Sequence, residues 1–154
     1  MNSWLNDIKA LKCEETTLYG YRNIINNHLI PAIGKYKLQQ LNPVILNKYF
    51  KSKKEEGLSN NTLRKHYDLL KDALKHAVNE EKILKNPLDK VEPIKTQRKE
   101  MNFYNIEQLK TLFKVVENDR MEIVVKLAGM LGLRREEIAG LKWDNIDFNN
   151  KLIT

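Results

Sequence analysis

The feature that most constrains the fold is a long amphipathic stretch in the middle of the chain. It begins with Ser59-Asn60-Asn61-Thr62, a run of side chains that can cap a helix. The apolar residues that follow recur every three or four positions and predict one continuous helix; they are Leu63, Tyr67, Leu70, Leu74, Ala77 and Val78. A helix with one apolar face must bury that face, so we expect other helices to pack around it.

Three shorter helices are predicted before this one. The first carries an apolar stripe of Trp4, Leu5, Ile8 and Leu11. The first helix is expected to end near Cys13. The second is expected to begin at Thr16 or Thr17 and to end at Pro31, and the third is expected to begin at Asn42-Pro43 and to end at Gly57. Asn86-Pro87 closes the set, so residues 1–88 are expected to form a four-helix domain with short connections.

The pattern changes after this domain. Residues 89–101 break the apolar periodicity, contain Pro93 and are charged throughout, which predicts an interdomain linker. Residues 102–154 then predict a helix capped by Asn105 and Gln108, followed by a largely buried helix from Ile123 to Leu131. A hairpin is expected from Ile146 onwards, with a short second strand.

Charge is unevenly distributed along the chain, which has a net charge of +7 over 154 residues. Residues 1–99 hold 19 Lys and Arg against 11 Asp and Glu, a net of +8, whereas residues 100–154 hold 8 against 9, a net of −1. The first part therefore favours a polyanion, and nucleic acid with salt-sensitive binding is the expected partner. The entrance of the long helix is basic, because it carries Arg64, Lys65 and His66. A lysine-rich surface can also serve solubility alone.

Cysteine content and hydropathy exclude several classes of protein. The single Cys13 cannot form an intrachain disulfide or, by itself, a cysteine metal site. No apolar run reaches the roughly 18 residues of a membrane span, and no basic-then-apolar leader begins the chain. The expected setting is the reducing cytoplasm, without membrane insertion.

One arginine stands at a predicted helix entrance in the last part of the chain. Arg134 follows Gly132 and lies three residues before Glu137, so the two side chains can share a helix surface. A guanidinium is always charged and can bind a phosphate bidentately. An ordinary exposed arginine on an amphipathic helix is the alternative interpretation of this spacing.

The surrounding motif carries a family resemblance. Gly132-Leu133-Arg134-Arg135-Glu136-Glu137-Ile138, followed by Leu141, Trp143-Asp144 and Ile146-Asp147, resembles the first catalytic-arginine box of the tyrosine recombinases, the phage-type integrases. Leu131 departs from the family pattern, which often has threonine there. The resemblance implies that Arg134 contacts the scissile phosphate and that Glu137 supports it.

The first part of the chain is similar to the core-site DNA-binding domain of the same family. The matching pieces are Thr17-Leu18-Tyr19-Gly20-Tyr21, His28-Leu29-Ile30-Pro31-Ala32-Ile33-Gly34, Gly57-Leu58-Ser59 and Asn86-Pro87. The implied fold class is mainly α, a four-helix SAM-like core-binding domain followed by a truncated α+β catalytic domain. The implied DNA contacts are Ser59, Asn60, Thr62, Arg64 and Lys65, then Thr16, Tyr19 and Arg22, with Lys95, Arg98 and Lys99 in a tether across the DNA backbone.

The same resemblance limits what this chain can do alone. The family adds a hairpin lysine, a His-x-x-Arg box, a further His or Trp and a tyrosine nucleophile after the arginine box, and none of these follows Arg134 here. The chain is therefore expected to be inactive alone and part of an enzyme when entire, or else a non-catalytic DNA-binding or regulatory relative; a basic helical protein-interaction module is a third possibility. No metal or organic cofactor is implied. Double-stranded DNA, self-association on DNA and accessory DNA-bending or directionality factors are the implied partners.

Overall fold

The computed structural model describes residues 2–96 and 100–153, and the prediction of a mainly helical chain is confirmed. The helices are α1 (Asn2–Trp4), α2 (Glu15–Ile24), α3 (Ile30–Ile33), α4 (Pro43–Glu55), α5 (Asn60–Asn79), α6 (Ile106–Val115), α7 (Glu122–Leu131) and α8 (Arg135–Gly140). The strands are β1 (Ile146–Asp147) and β2 (Leu152–Ile153). Two compact units divide the chain near residue 100.

Helix α5 forms the centre of the first unit. Its predicted cap is confirmed, because the Ser59 hydroxyl accepts a hydrogen bond from the Thr62 amide at 3.2 Å. The buried face of α5 comprises Leu63, His66, Tyr67, Leu69, Leu70, Leu74 and Ala77. These side chains join one apolar core with residues from the three helical segments that precede α5, among them Leu18, Ile25, Leu29, Leu46 and Phe50.

Helix α4 also begins as its sequence predicts. The Asn42 side-chain oxygen accepts a hydrogen bond from the Ile45 amide at 3.0 Å, and Pro43 occupies the first helical turn, where its missing N–H has no cost. Gly57 follows the helix with φ of +93°, a left-handed conformation that glycine adopts readily. The predicted stop at Gly57 is therefore confirmed.

The helix that starts at α2 differs from its prediction at both ends. It begins at Glu15 with Glu14 at the cap position, so the predicted caps Thr16 and Thr17 are wrong and lie inside the first turn. The chain then continues through a π-helical turn, Ile25–Leu29, into α3, so it passes Pro31 and does not end there. The wider turn shifts the backbone hydrogen-bond pattern just before a residue that has no N–H to donate.

The first helical segment supports only part of its predicted apolar stripe. Helix α1 continues as a π-helical turn, Leu5–Lys9, and Trp4 and Leu5 are buried in the core. Leu11 was expected to join them, but it is 84% exposed because it lies in the turn beyond Lys9, where the helical spacing no longer applies.

Part of the segment predicted as a linker packs against the first unit. A 3₁₀ turn, Pro87–Lys90, leads to Val91, which is buried. The Tyr67 hydroxyl donates to the Val91 carbonyl at 3.2 Å, and the Asn60 side-chain amide donates to the Lys95 carbonyl at 3.0 Å. The main chain is thus held along α5 as far as residue 95.

The second unit starts with a reciprocal cap. The Asn105 amide donates to the Gln108 side chain at 2.9 Å, and the Gln108 amide donates to the Asn105 side chain at 2.8 Å, which confirms the predicted pair. Gly129 of α7 lies so close to α6 that an added Cβ would be 3.0 Å from the Phe113 ring. The predicted hairpin is present, with β1 and β2 paired antiparallel.

The expectation that α7 is largely buried is wrong for the described unit. Ile123 is 64% exposed, Met130 70% and Leu131 56%, and no residue described between 100 and 153 is buried. The apolar spacing of a helix identifies the side chains that need a partner, but burial requires neighbouring elements that this short unit does not contain.

Candidate nucleic-acid interface and arginine site

The entrance of α5 holds three of the predicted DNA-contact residues, and each already has an intramolecular role. The Ser59 and Thr62 hydroxyls are 2.9 Å apart, and Ser59 also caps the Thr62 amide. Asn60 binds the Lys95 carbonyl, 35 residues away in sequence. These contacts fix the shape of the helix entrance and hold the segment containing Lys95 beside it.

Arg64 and Lys65 follow on the next turn of α5. Arg64 Nε donates to both carboxylate oxygens of Asp68, at 3.0 and 2.9 Å, and its guanidinium lies 5.6 Å from the centroid of the Tyr67 ring. Both residues of the ion pair are partly exposed, so the remaining guanidinium donors are accessible. Lys65 is exposed and has no ion-pair partner among the described residues, so it can contact a phosphate.

The predicted contacts on α2 are also at the surface. Thr16 is exposed, and Tyr19 is 72% exposed, large for an aromatic side chain. Arg22 donates to Glu15 at 2.8 Å in an exposed ion pair. Such a pair has little net stability in water, so Arg22 can exchange its carboxylate for a phosphate.

A groove between α4, α5 and residues 92–95 contains two lysines, Lys51 and Lys54, that were not among the predicted DNA contacts. Its lining comprises Phe50, Lys51, Lys54, Asn60, Leu63, Glu92, Pro93, Ile94 and Lys95. Lys54 has no ion-pair partner among the described residues, and Lys51 meets Glu55 only at 4.0 Å. The run of lysines from Lys48 to Lys54 could have indicated this face. The predicted tether residues Arg98 and Lys99 lie outside the described residues.

His66 does not belong to the basic entrance, contrary to its prediction. It is fully buried, with Nδ1 at 2.8 Å from the Tyr49 hydroxyl and with its ring centroid 4.9 Å from that of His28. Burial raises the pKa of Tyr49, so the phenol remains protonated and shares a hydrogen bond with His66 Nδ1. Burial first, then the charges of His28 and Lys53, lower the pKa of His66 to about 4, and the ring is therefore neutral near pH 7.

His66 also carries an unsatisfied buried group. Its Nε2 has no hydrogen-bond partner among the described residues. Whichever ring nitrogen carries the proton of the neutral ring, Nδ1 is paired with Tyr49 and Nε2 is not. An unpaired buried polar atom costs about 1–3 kcal/mol, so the favourable hydrogen bond between α4 and α5 is offset by the unpaired Nε2.

Arg134 is positioned by the residues on either side of it. Gly132 ends α7 with φ of +69°, and Arg134 then stands at the cap position of α8. The Arg134 amide donates to one Glu137 oxygen at 2.7 Å, and its Nη1 donates to the other at 3.1 Å. The backbone N–H first, then the guanidinium, hold the pKa of Glu137 below its usual range.

The guanidinium of Arg134 remains available. Its side chain is 82% exposed, and only Nη1 has a hydrogen-bond partner among the described residues. Glu137 therefore orients the arginine while leaving Nη2 and Nε free for an external anion, and its supporting role in catalysis stays a prediction. These two nitrogens can bind the oxygens of one phosphate.

The tyrosines and histidines of this chain lie before the arginine in sequence. All six tyrosines and all three histidines precede Arg134 in the sequence, from Tyr19 to Tyr104 and from His28 to His76. Within residues 2–96 and 100–153, no three His, Cys, Asp or Glu side chains are grouped to hold a metal ion. No helix in that same part of the chain is long and apolar enough to cross a membrane.

Two family models match the first unit. "Phage integrase, N-terminal SAM-like domain" matches residues 1–54, and "Phage integrase SAM-like domain" matches residues 35–97. The expected SAM-like class of the helical domain is thereby confirmed.

Curated relatives and solved structures extend the similarity to nearly the whole chain. The ICEBs1 integrase of Bacillus subtilis is 29% identical over 80% of this chain and 34% of its own length. A "tyrosine recombinase XerC-like" protein of Caldanaerobacter subterraneus is 26% identical over 98% of this chain and 40% of its own length. A lambda integrase dimer bound to a core site aligns with a TM-score of 0.80 at 17% identity, covering 96% of this chain and 55% of that one. The chain thus spans between a third and two fifths of these curated relatives.

Proposed function

The chain belongs to the tyrosine recombinase family of phage-type integrases, and we propose that it is the DNA-clamping part of a site-specific recombinase. The first unit binds duplex DNA. The second unit contributes Arg134 to the scissile phosphate when the whole enzyme is assembled. The chain by itself binds DNA without cutting it.

The observation that carries the proposal is the concentration of free cations on the first unit. Residues 1–99 have a net charge of +8. Exposed cations without a described ion-pair partner, such as Lys54 and Lys65, lie at the end of α4 and the start of α5. Phosphates release counterions when lysine neutralises them, so this surface supplies a salt-dependent driving force for binding DNA.

The arginine site supports the catalytic part of the proposal. Cleavage of a phosphodiester by a tyrosine forms a protein–DNA ester and expels a 5′ hydroxyl, and its transition state gains negative charge on the phosphate oxygens. An oriented, accessible guanidinium stabilises that charge. The nucleophile, the other cations and the acid for the leaving group must come from elsewhere in the whole enzyme.

Exposed apolar residues of the second unit favour a larger domain. Phe103, Trp143 and Phe148 are among many large apolar side chains exposed there. Large apolar side chains exposed in this number favour a surface that another part of a protein covers. In the proposed full-length enzyme, the remaining catalytic segments cover this surface, and the enzyme self-associates on DNA in the cytoplasm with accessory directionality factors.

A non-catalytic regulator derived from a recombinase is the second candidate. The charge asymmetry of the chain fits it as well, because DNA binding through the basic first unit requires no catalytic group. The two candidates differ in one outcome: a longer reading frame containing a His-x-x-Arg box and a late tyrosine should trap a covalent protein–DNA complex, whereas a regulator should not.

A salt titration tests DNA binding by the chain as it stands. Anisotropy of a labelled mixed-sequence duplex should give a log K that falls linearly with log salt concentration, with a slope near −0.9 per phosphate neutralised. Lys65→Ala should make the slope less negative by about 0.9. Lys75→Ala is the matched control, because Lys75 is an exposed lysine about 15 Å further along α5.

Two results would overturn this function. One is the absence of duplex binding at low salt, and the other is binding whose affinity does not change with salt. Equal effects of the two lysine substitutions would contradict the placement of the interface at the α5 entrance.

A further inference from the structure

The second half of α5 borders an open apolar groove that the proposed DNA interface does not use. A cavity of about 630 Å³ lies between this half of α5, α3 and the turn that follows α3. Its lining includes Leu38, Leu41 and Ala73, which pack against the core but are only partly buried. Ile30 and Tyr36, which also line it, are exposed. The apolar core of the first unit is therefore accessible to a partner on this side.

Two further cavities adjoin this one at different places. A cavity of about 590 Å³ shares Leu38, Leu41 and Lys82 with it, and a cavity of about 220 Å³ shares Trp4 and His76 with it. We define the α3–α5 groove as these three adjoining cavities. Its lining on α5 extends over residues 70–79, a length of about 14 Å, so together with the outer cavities it can seat about three turns of a helix.

Lysines flank the apolar lining of the groove on both sides. Six lysines line it against four acids, a net of +2. Two of those acids, Asp72 and Glu80, already pair with lysines of the groove. Four of the lysines have no ion-pair partner among the residues that the structure describes: Lys12 and Lys75 in the smallest cavity, and Lys85 and Lys90 in the cavity beyond Lys82.

An amphipathic helix that carries acidic residues beside its apolar stripe matches both features. Such a helix lays its apolar residues into a hydrophobic groove, and carboxylates next to the stripe meet the flanking lysines. Duplex DNA offers phosphates to the lysines but no apolar ridge to the concave lining. A membrane surface is flat and does not reach into a groove of this shape.

We propose that the α3–α5 groove binds an acidic amphipathic helix of a partner protein. The proposed DNA contacts on α5 end at Lys65, whereas the groove begins at Leu70, so the two surfaces are separate. The inference goes beyond the proposed function and does not depend on it, because a helix can bind here whether or not the first unit binds DNA.

Synthetic peptides test the inference on the 154-residue chain carrying Trp143→Phe, in which Trp4 is the remaining tryptophan. Trp4 lines two of the three cavities, so its fluorescence should report a helix that enters the groove. The probe is an end-blocked peptide of about 18 residues, five turns of helix, with leucine at every third or fourth position and glutamate and alanine elsewhere. It should bind with a Kd on the order of 10 µM and gain helicity in circular dichroism.

Two control peptides separate the apolar stripe from the charge. The first has lysine in place of each glutamate and keeps the stripe. The second has the composition of the probe but scattered leucines, so it keeps the charge and loses the stripe. Each should bind at least about tenfold more weakly than the probe.

Substitutions in the groove should have matching effects. Lys85→Glu combined with Lys90→Glu reverses two exposed lysines of the groove and should weaken binding of the acidic peptide by about tenfold or more. Lys48→Glu combined with Lys51→Glu is the matched control, since it reverses two exposed lysines of α4 that line none of the three cavities; it should change the affinity by less than about twofold.

A substitution in the apolar lining provides a second, independent variant. Ala73→Glu places a carboxylate among apolar side chains and should weaken binding of the peptide by about tenfold or more. Circular dichroism and urea unfolding show whether this variant still folds. If it does not, the exposed lysine pairs decide the question, because surface substitutions of this kind leave the core unchanged.

Four results would overturn the inference. The acidic peptide fails to bind, or it binds no better than the two control peptides. The two lysine pairs have equal effects on its affinity. The chain forms a dimer in sedimentation equilibrium that Ala73→Glu abolishes, which would assign the groove to a second copy. A mixed-sequence duplex displaces the peptide, which would assign the groove to DNA. The salt titration of duplex binding is a separate measurement, so either proposal can fail without the other.

Discussion

Acid should destabilise the first unit through one buried side chain, His66. In the folded protein the pKa of His66 is lowered from 6.5 to about 4 by burial and by His28 and Lys53. Below pH 6.5 the unfolded chain therefore binds a proton that the folded chain still excludes. Stability is highest above pH 6.5, and it falls as the pH decreases towards 4, where the loss reaches its limit.

The pKa difference determines the magnitude. Linkage between about pH 7.5 and about pH 5 gives a loss of about 2 kcal/mol from this group, and the full shift is worth about 3 kcal/mol below pH 4. A loss of that size is a large fraction of the stability of a small domain. The Tyr49 phenol, which is hydrogen-bonded to His66, does not titrate in this range because its pKa is raised.

Fluorescence of Trp4 can measure the effect. Trp4 is buried in the first unit, and Trp143 of the second unit can be replaced by phenylalanine to remove its signal. Urea unfolding at a series of pH values should show that His66→Phe removes about 2 kcal/mol of the pH dependence between about pH 7.5 and about pH 5. His76→Gln, a change at a more exposed histidine on the same helix, should retain nearly all of it.

The test compares how steeply the free energy of unfolding changes with pH in each variant, and the absolute free energy does not enter. His66→Phe also leaves the Tyr49 hydroxyl without its partner, which changes stability by a constant amount over this range. If wild type and His66→Phe lose stability in parallel as the pH falls, then His66 is not held neutral by the fold, and the argument from its burial is wrong.

Three further changes should have distinct results. In the full-length enzyme, Arg134→Ala should reduce covalent protein–DNA complex formation by about 100- to 1000-fold, as measured on suicide substrates; duplex affinity should change little, and a large loss of affinity would contradict the division of roles between the units. Asp68→Asn should tighten duplex binding at low salt by a few fold in an anisotropy titration, because it removes the negatively charged carboxylate whose two oxygens accept from Arg64 Nε. Weaker binding would show that the ion pair positions Arg64 for DNA. Gly20→Ala should raise the stability of the first unit by about 0.5–1 kcal/mol in urea, since the added Cβ meets no atom within 4 Å; a destabilised variant would show that the glycine is structural.

Local features of the first unit could be predicted from sequence because they depend on neighbouring residues. The Ser59 cap and the Asn42-Pro43 start are examples, since each hydrogen bond spans three residues. Prediction was less accurate at Thr16 and Pro31, where the helix begins earlier and continues further than expected. Helix ends depend on the competition between local signals and the packing of the whole segment, which sequence spacing does not describe.

In the candidate site, too, contacts between residues close in sequence could be predicted and contacts between distant residues could not. The arginine box identified Arg134 and Glu137 from sequence, and the structure adds the two hydrogen bonds by which Glu137 orients the arginine. The contact between Asn60 and Lys95 could not be predicted, because it joins residues that are distant in sequence. The groove that gathers Lys51 and Lys54 beside Lys95 depends on that contact.

The sequence by itself therefore determined most of the helices, the caps at Asn42, Ser59 and Asn105, the charge asymmetry and the arginine motif, because periodicity and short-range chemistry encode each of them. Only the tertiary structure decided which side chains are buried. His66 directly follows the basic residues Arg64 and Lys65 in sequence yet is in the core, while Leu131 has core-like spacing yet is exposed. Burial depends on which other elements cover a face, and that is a property of the folded arrangement that no single helix contains.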